Sequence, residues 1–444
     1  MKHGLKIRLA GCTRPALPSP LMQLFPASVL RPGVVGLVSC LMLVGATSGR
    51  GDPPLLAPAA GGSPSVAQAN NAFAFDLYRK LEPAPGANVF FSPYSIETAL
   101  AMTAAGARGA TAAQMTKVLH LDGFAANALP AAFGAQQGAL TGAGAAAGVR
   151  LLVANSLWMQ QDQPIRPDYL ANVQKDFGAA LFTVDFASQA EVVRLRVNAW
   201  VGDKTEQRIK DLLHPGDVDA RTRLILVNAI YFKGAWAEPF DAKATAPAPF
   251  TLAGGETKST PLMRRKFAVA RMAELPDDPV PLKILALPYQ GRALEFVALL
   301  PDSPTALPDL EKTLTADRLD AWLGKLSRTY DVEVFLPKFK LEAHYGLGAP
   351  LAALGMTDAF TPRADFSGMD GAHDLMLGAA VHQAFVEVNE EGTEAAAATG
   401  VVVRPALMRA APPVFRADHP FLFLIRDAAS GAILFLGRLA APAE

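Results

Sequence analysis

The sequence predicts an α+β domain in which helices come first and broad sheets follow. Three observations carry that prediction. Apolar residues recur at helical spacing through the early part of the patterned region. Near-continuous apolar runs dominate the later part, as in strands covered on both faces. The two kinds of segment do not alternate as βαβ units would, and no stretch repeats. Hydrophobic residues form 51% of the 444, enough for one large core.

The elements follow in order from about Ala69. "NAFAFDLYRKL" (Asn71 to Leu81) carries apolar residues at helical spacing. Ser92-Pro93, followed by Ser95-Ile96 and "ETALAMTAAGA", predicts a second helix. Ser92 suits the N-cap, Pro93 the first turn, and Gly106 and Gly109 the end. "GAQQGALTGAGAAAG" (Gly134 to Gly148) reads either as a surface loop or as a glycine-frayed helix. "EVVRLRVNAWVGDKT" (Glu191 to Thr205) returns to helical spacing and should end near Gly202. Strands are then expected at "TRLILVNAIYF" (Thr222 to Phe232), "LEFVALLP" (Leu294 to Pro301), "DVEVFLPKFKLE" (Asp331 to Glu342), "VHQAFVEVNEE" (Val381 to Glu391), "PFLFLIRD" and "AILFLGRL".

The chain ahead of this region is different. Lys2, Lys6, Arg8, Arg14 and Arg31 are basic, and no acid occurs before Asp52. The apolar run Val34 to Ala46 is too short to span a bilayer but suits a signal-peptide core. Residues 1–49 therefore read as an export leader, 50–68 as a disordered linker and 69–442 as the folded domain. The expected location is extracellular or periplasmic. Leu37-Val38-Ser39-Cys40 also resembles a lipoprotein box, which would leave Cys40 lipid-anchored. Cys12 and Cys40 are the only cysteines, so the domain has no disulfide and no thiol nucleophile. The Ala- and Arg-rich composition suggests a bacterial source.

Charge and motifs exclude several classes. Basic and acidic residues balance at 41 each, which leaves no footprint for nucleic acid. No G-x-S-x-G, H-E-x-x-H or G-x-x-x-x-G-K-[ST] sequence occurs, so no catalytic group, metal or cofactor is expected. His382 alternates on an apolar strand and should be a core histidine with a hydrogen-bond partner. The stretch from Glu390 to Pro413 has conflicting preferences: an alanine-rich helix former, then Val401 to Val403, then Pro405, Pro412 and Pro413.

"NVFFSPYSIETALAMTAAGARGAT", "LVNAIYFKGAWAEPF", "LPKFKLE", "LGMTDAF", "VHQAFVEVNEEGTEAAAATG" and "FRADHPFLFLIRD" with "ILFLGRL" occur in the order in which similar blocks occur in the serpin family. The chain resembles that family from about Ala69 to Pro442. The resemblance implies one domain with three β-sheets and eight or nine helices, and an exposed reactive loop at about 390–413. It implies a monomeric inhibitor, not an enzyme: a bait loop cut by a serine protease, in some members a cysteine protease, inserts into the central sheet as a suicide substrate. The hinge would be Glu390, Glu391, Gly392, Thr393, Glu394, Ala395, Ala396, Ala397, Ala398 and Thr399. Alternation puts Thr393, Ala395, Ala397 and Thr399 on one strand face, small enough to enter a packed sheet. Counting fourteen positions from Gly392 puts the scissile bond between Ala406 and Leu407, suited to an elastase-like or subtilisin-like protease. Arg409-Ala410 is the second register, suited to a trypsin-like one. Ser92, Ser95, Asn228 and His382 match the polar cluster under the central sheet, and Trp236 the sheet top. No Lys or Arg lies between Lys117 and Arg150, so no heparin-type polyanion is expected. A non-inhibitory binding or chaperone module is the alternative; small residues through the hinge favour inhibition.

Overall fold

The computed structural model describes residues 65–81, 84, 86–125, 128–145, 149–393 and 411–442. The first helix, α1 (Val66–Lys80), begins earlier than its apolar pattern suggests. Gln68 N–H donates to Ser65 Oγ (3.2 Å), while Ser65 N–H donates to the Gln68 side chain (2.9 Å). This reciprocal capping box corrects the linker boundary, since Val66 to Gln68 are helical. α2 (Pro93–Ala105) starts and stops as expected, capped by Ser92 and ended at Gly106. Gly109 instead opens α3 (Gly109–Val118).

The glycine-rich stretch falls largely within α4 (Leu129–Ala145). Its Gly134 lies against the C-terminus of α5 (Pro167–Asp176), where a Cβ would sit 2.8 Å from the Asp176 carbonyl oxygen. A poor helix former is used there because nothing larger fits. α6 (Phe186–Lys204) continues through Gly202. The remaining helices are α7 (Leu307–Thr313), α8 (Ala316–Leu323), α9 (Gly348–Leu354) and the single turn α10 (Ser367–Asp370). The described residues thus hold ten α-helices where eight or nine were expected, the short ones making the difference.

One sheet has six strands. Its order is β10 (Phe339–Gly346), β11 (Ala379–Val388), β4 (Leu224–Ala235), β2 (Val149–Gln160) and β3 (Ala180–Val184), and the short β12 (Gly392–Thr393) also pairs with β4. The other sheet has nine: β1 (Val89–Phe91), β15 (Ile433–Leu439), β14 (Phe421–Asp427), β8 (Leu294–Pro301), β7 (Leu282–Pro288), β6 (Thr257–Leu275), β9 (Ser327–Pro337) and β13 (Val414–Arg416), with β5 (Ala246–Thr251) on β6.

The three expected sheets appear as two continuous ladders. β6 is 19 residues long and serves several neighbours in turn, pairing β5 from Thr257 to Leu262, β9 from Leu262 to Met272 and β7 from Arg271 to Leu275. "DVEVFLPKFKLE" is likewise two strands, broken at Lys338, so that β9 and β10 enter different sheets. An aromatic column fills the space between the sheets. Phe90 stacks on Phe435 (5.3 Å) and Phe423 (5.9 Å), and Phe232 of β4 meets Phe435 at 5.7 Å.

Candidate functional site

The six-stranded sheet contains a seam. β11 and β4 run parallel and pair directly from Ala379↔Ile225 to Phe385↔Tyr231, so no strand lies between them. Beyond Phe385 the two diverge, and the chain leaving β11 turns back at once. Asn389 N–H donates to the Gly392 carbonyl (2.8 Å) and Gly392 N–H to the Asn389 carbonyl (3.2 Å). A chain that reverses after β11 runs antiparallel to β11, and therefore also antiparallel to β4. This is what β12 does, pairing Gly392 with Ala235 and Thr393 with Gly234.

The turn is held by contacts that a larger residue would break. Gly392 has φ +141°, and a Cβ there would lie 2.2 Å from the Gly234 oxygen and 2.6 Å from Ala235 Cα. Trp236, buried, donates its indole N–H to the Asn389 carbonyl (2.9 Å) and stacks on Tyr289 at 4.8 Å. Backbone donors of Trp236 and Phe240 satisfy the carbonyls of Glu391 (2.9 Å) and Glu390 (2.7 Å). The Glu390 carboxylate meets Lys338 (2.8 Å) and Thr245 Oγ1 (2.8 Å). Its burial works to raise the carboxyl, but the Lys338 and Thr245 hydrogen bonds prevail and hold it below the ordinary value.

Lower down, a buried polar row crosses the seam. His382, Asn228 and Asn155 occupy directly opposed positions on β11, β4 and β2. His382 Nε2 accepts from the Ser92 backbone N–H (3.1 Å), so its proton sits on Nδ1 and is donated to Asn228 Oδ1. Asn228 Nδ2 donates to Ser95 Oγ (2.5 Å) and to Asn155 Oδ1, and Ser95 Oγ donates to Asn155 Oδ1 (3.3 Å). Ser92 Oγ accepts from Ser95 N–H (3.1 Å) and donates to the Leu434 carbonyl (2.6 Å). Complete burial, with a smaller contribution from His344, depresses His382 from 6.5 to about 3, so the ring is neutral.

The cluster named from sequence is therefore assembled, with Trp236 above it. Sequence reasoning missed Asn155. Its signal was a polar residue in the apolar run of β2, which itself went unread as a strand. The hinge is described as far as Thr393. Glu394, Ala395, Ala396, Ala397, Ala398 and Thr399 lie outside the described residues, as do Ala406-Leu407 and Arg409-Ala410. The described residues hold no group of three or more metal-ligating side chains.

A family model described as "Serpin (serine protease inhibitor)" matches residues 68–442. The leukocyte elastase inhibitor of Sus scrofa is 45% identical over 386 residues, covering 85% of this chain and 99% of that protein. That of Homo sapiens is 42% identical with the same coverage. Among solved structures, uncleaved ovalbumin superposes with a TM-score of 0.76 at 31% identity, over 85% of this chain and all of that one. Native protease nexin-1, solved with heparin, gives 0.76 at 28% identity over 85% and 99%. The two inhibitors are mammalian and give the expected bacterial source no support.

Proposed function

Because the chain belongs to the serpin family of serine protease inhibitors, we propose that it traps an elastase-like or subtilisin-like serine protease as a suicide substrate cut between Ala406 and Leu407. The protease serine oxygen attacks the Ala406 carbonyl, an ester forms, and the Leu407 amine departs with the proton passed on by the protease histidine. The freed hinge side then continues the path β12 has begun, entering the seam with the ester attached. One parallel pairing, β11 on β4, is replaced by two antiparallel ones, which are the more stable per residue. Insertion competes with hydrolysis of the ester and wins by dragging the protease out of shape.

The observation that carries this reading is the direct β11–β4 pairing with β12 already turned antiparallel at its upper end. The cluster below is suited to repeated use. When β11 and β4 part, His382 loses Asn228 but can retain the Ser92 N–H, and Asn228 can retain Ser95 and Asn155. Movement then strands fewer buried polar groups. The reading includes export by the residue 1–49 leader, with or without a lipid on Cys40, and action as a monomer. The absence of Lys and Arg from Leu119 to Gly148 supports activity without a polyanion.

The test is incubation with pancreatic elastase, subtilisin, chymotrypsin and trypsin, followed by denaturing gels and mass spectrometry. A denaturant-stable complex with elastase or subtilisin, carrying a break after Ala406, is expected. A complex with trypsin alone, broken after Arg409, shifts the register. Cleavage by every protease without a complex or a gain in thermal stability ends the inhibitor reading in favour of a binding module.

A further inference from the structure

The polar row guards only one face of the seam. Side chains alternate along a strand, so Phe385 and Tyr231, three residues beyond His382 and Asn228, project to the opposite face. They are the last directly paired residues before β11 and β4 diverge, and their rings lie 6.1 Å apart. The exposed Arg208 guanidinium covers both, 5.8 Å from the Tyr231 ring and 5.9 Å from the Phe385 ring.

Arg208 is delivered there by an unusual turn. Glu206 (φ 52°) and Gln207 (φ 61°) are successive non-glycine residues in the left-handed region, which persists only where the surroundings enforce it. Gln207 N–H is tied to the Gly202 carbonyl (2.7 Å), Arg208 N–H to that of Thr205 (3.0 Å), and Glu206 forms an ion pair with Arg150 of β2. The turn is thereby fastened to β2 and β4, on one side of the seam. Across the seam the Arg208 guanidinium meets the Phe385 ring of β11. Lys340 of β10 also covers Phe385, at 4.9 Å, but it sits on the same side as β11 and would move with it.

We propose that Arg208 is a latch on the seam, a positioning residue whose contact with Phe385 must break before the loop can enter. This deepens the inhibitor reading and rests on it. The test needs no protease: uptake of a labelled peptide with the sequence of residues Thr393 to Ala406 is followed in the intact protein. Arg208→Ala should speed uptake by about two- to five-fold, the factor carried by one exposed cation–ring contact. Arg208→Lys should restore part of the slow rate. Phe385→Leu should also speed uptake, and adding Arg208→Ala to it should change little further. An unchanged rate in Arg208→Ala overturns the latch but leaves inhibition standing, as does equal acceleration in the Phe385→Leu background. A wild-type protein that takes up no peptide overturns the latch as well. Combined with failure to form a protease complex, it would remove the inhibitor reading too.

Discussion

The two sheets are built to opposite specifications. In the nine-stranded sheet, β1, β15, β14, β8 and β7 form an unbroken antiparallel block, and every residue of β8, β14 and β15 is buried. Its contacts are rings on rings, with Phe423 meeting Phe90, Phe296 and Phe339 at 5.1 to 5.9 Å. In the six-stranded sheet the central pairing is parallel, polar side chains sit beneath it, and its upper end is already open. The first region is fully paired through its interior, whereas the second has a seam at which a strand could be added, and on the inhibitor reading this difference locates the moving part.

The largest expected effect breaks the rigid half. Phe423→Ala should cost about 3–5 kcal/mol, measured by urea unfolding, because a buried ring leaves a cavity that the block cannot close. A cost below about 1 kcal/mol would mean that the block is no more rigid than the seam. A smaller effect sharpens the contrast at the hinge. Glu390→Lys removes the Lys338 pair and sets two ammonium groups together, at about 1–2 kcal/mol, between exposed and buried ion pairs. Its signature should be faster peptide uptake with an unchanged unfolding slope; uptake at the wild-type rate would release Glu390 from any role in gating.

The smallest effect concerns pH. His382 is depressed to about 3 in the folded chain against 6.5 when exposed, so below 6.5 the unfolded state binds the extra proton. Stability is full above that value and falls as the pH drops towards 3. The loss should be about 1 kcal/mol between pH 7.5 and 6. His382→Gln should flatten the slope across that window, and an unaltered slope would assign the acid sensitivity elsewhere.

Much of this was legible because local chemistry decides it. The Ser92-Pro93 start of α2 and the apolar run of β8 each declare themselves within a few residues, whereas the hinge glycine Gly392 was legible through the family resemblance. What stayed hidden depends on partners far along the chain. β2 reads weakly on its own, and Asn155 acquires meaning only opposite Asn228. The break at Lys338, just after Pro337, falls within a stretch of strand-like alternation and is set by which sheet each half joins. Gly134 of α4 makes sense only once the Asp176 backbone is seen pressed against it. Arg208 was passed over for the same reason, as an unremarkable cation until the turn places it over two rings.

The position of β14 and β15 carries one more consequence. A cut after Ala406 would separate the hinge side of the polypeptide from a short C-terminal fragment that starts at Leu407. That short fragment contains β13, β14 and β15, two of them enclosed between β1 and β8 in the interior of the block. Inhibitor that is cut but loses the protease to hydrolysis of the ester should therefore remain a two-chain particle, indistinguishable in size from the intact protein on a native column. It would release its small piece only when the whole block is unfolded.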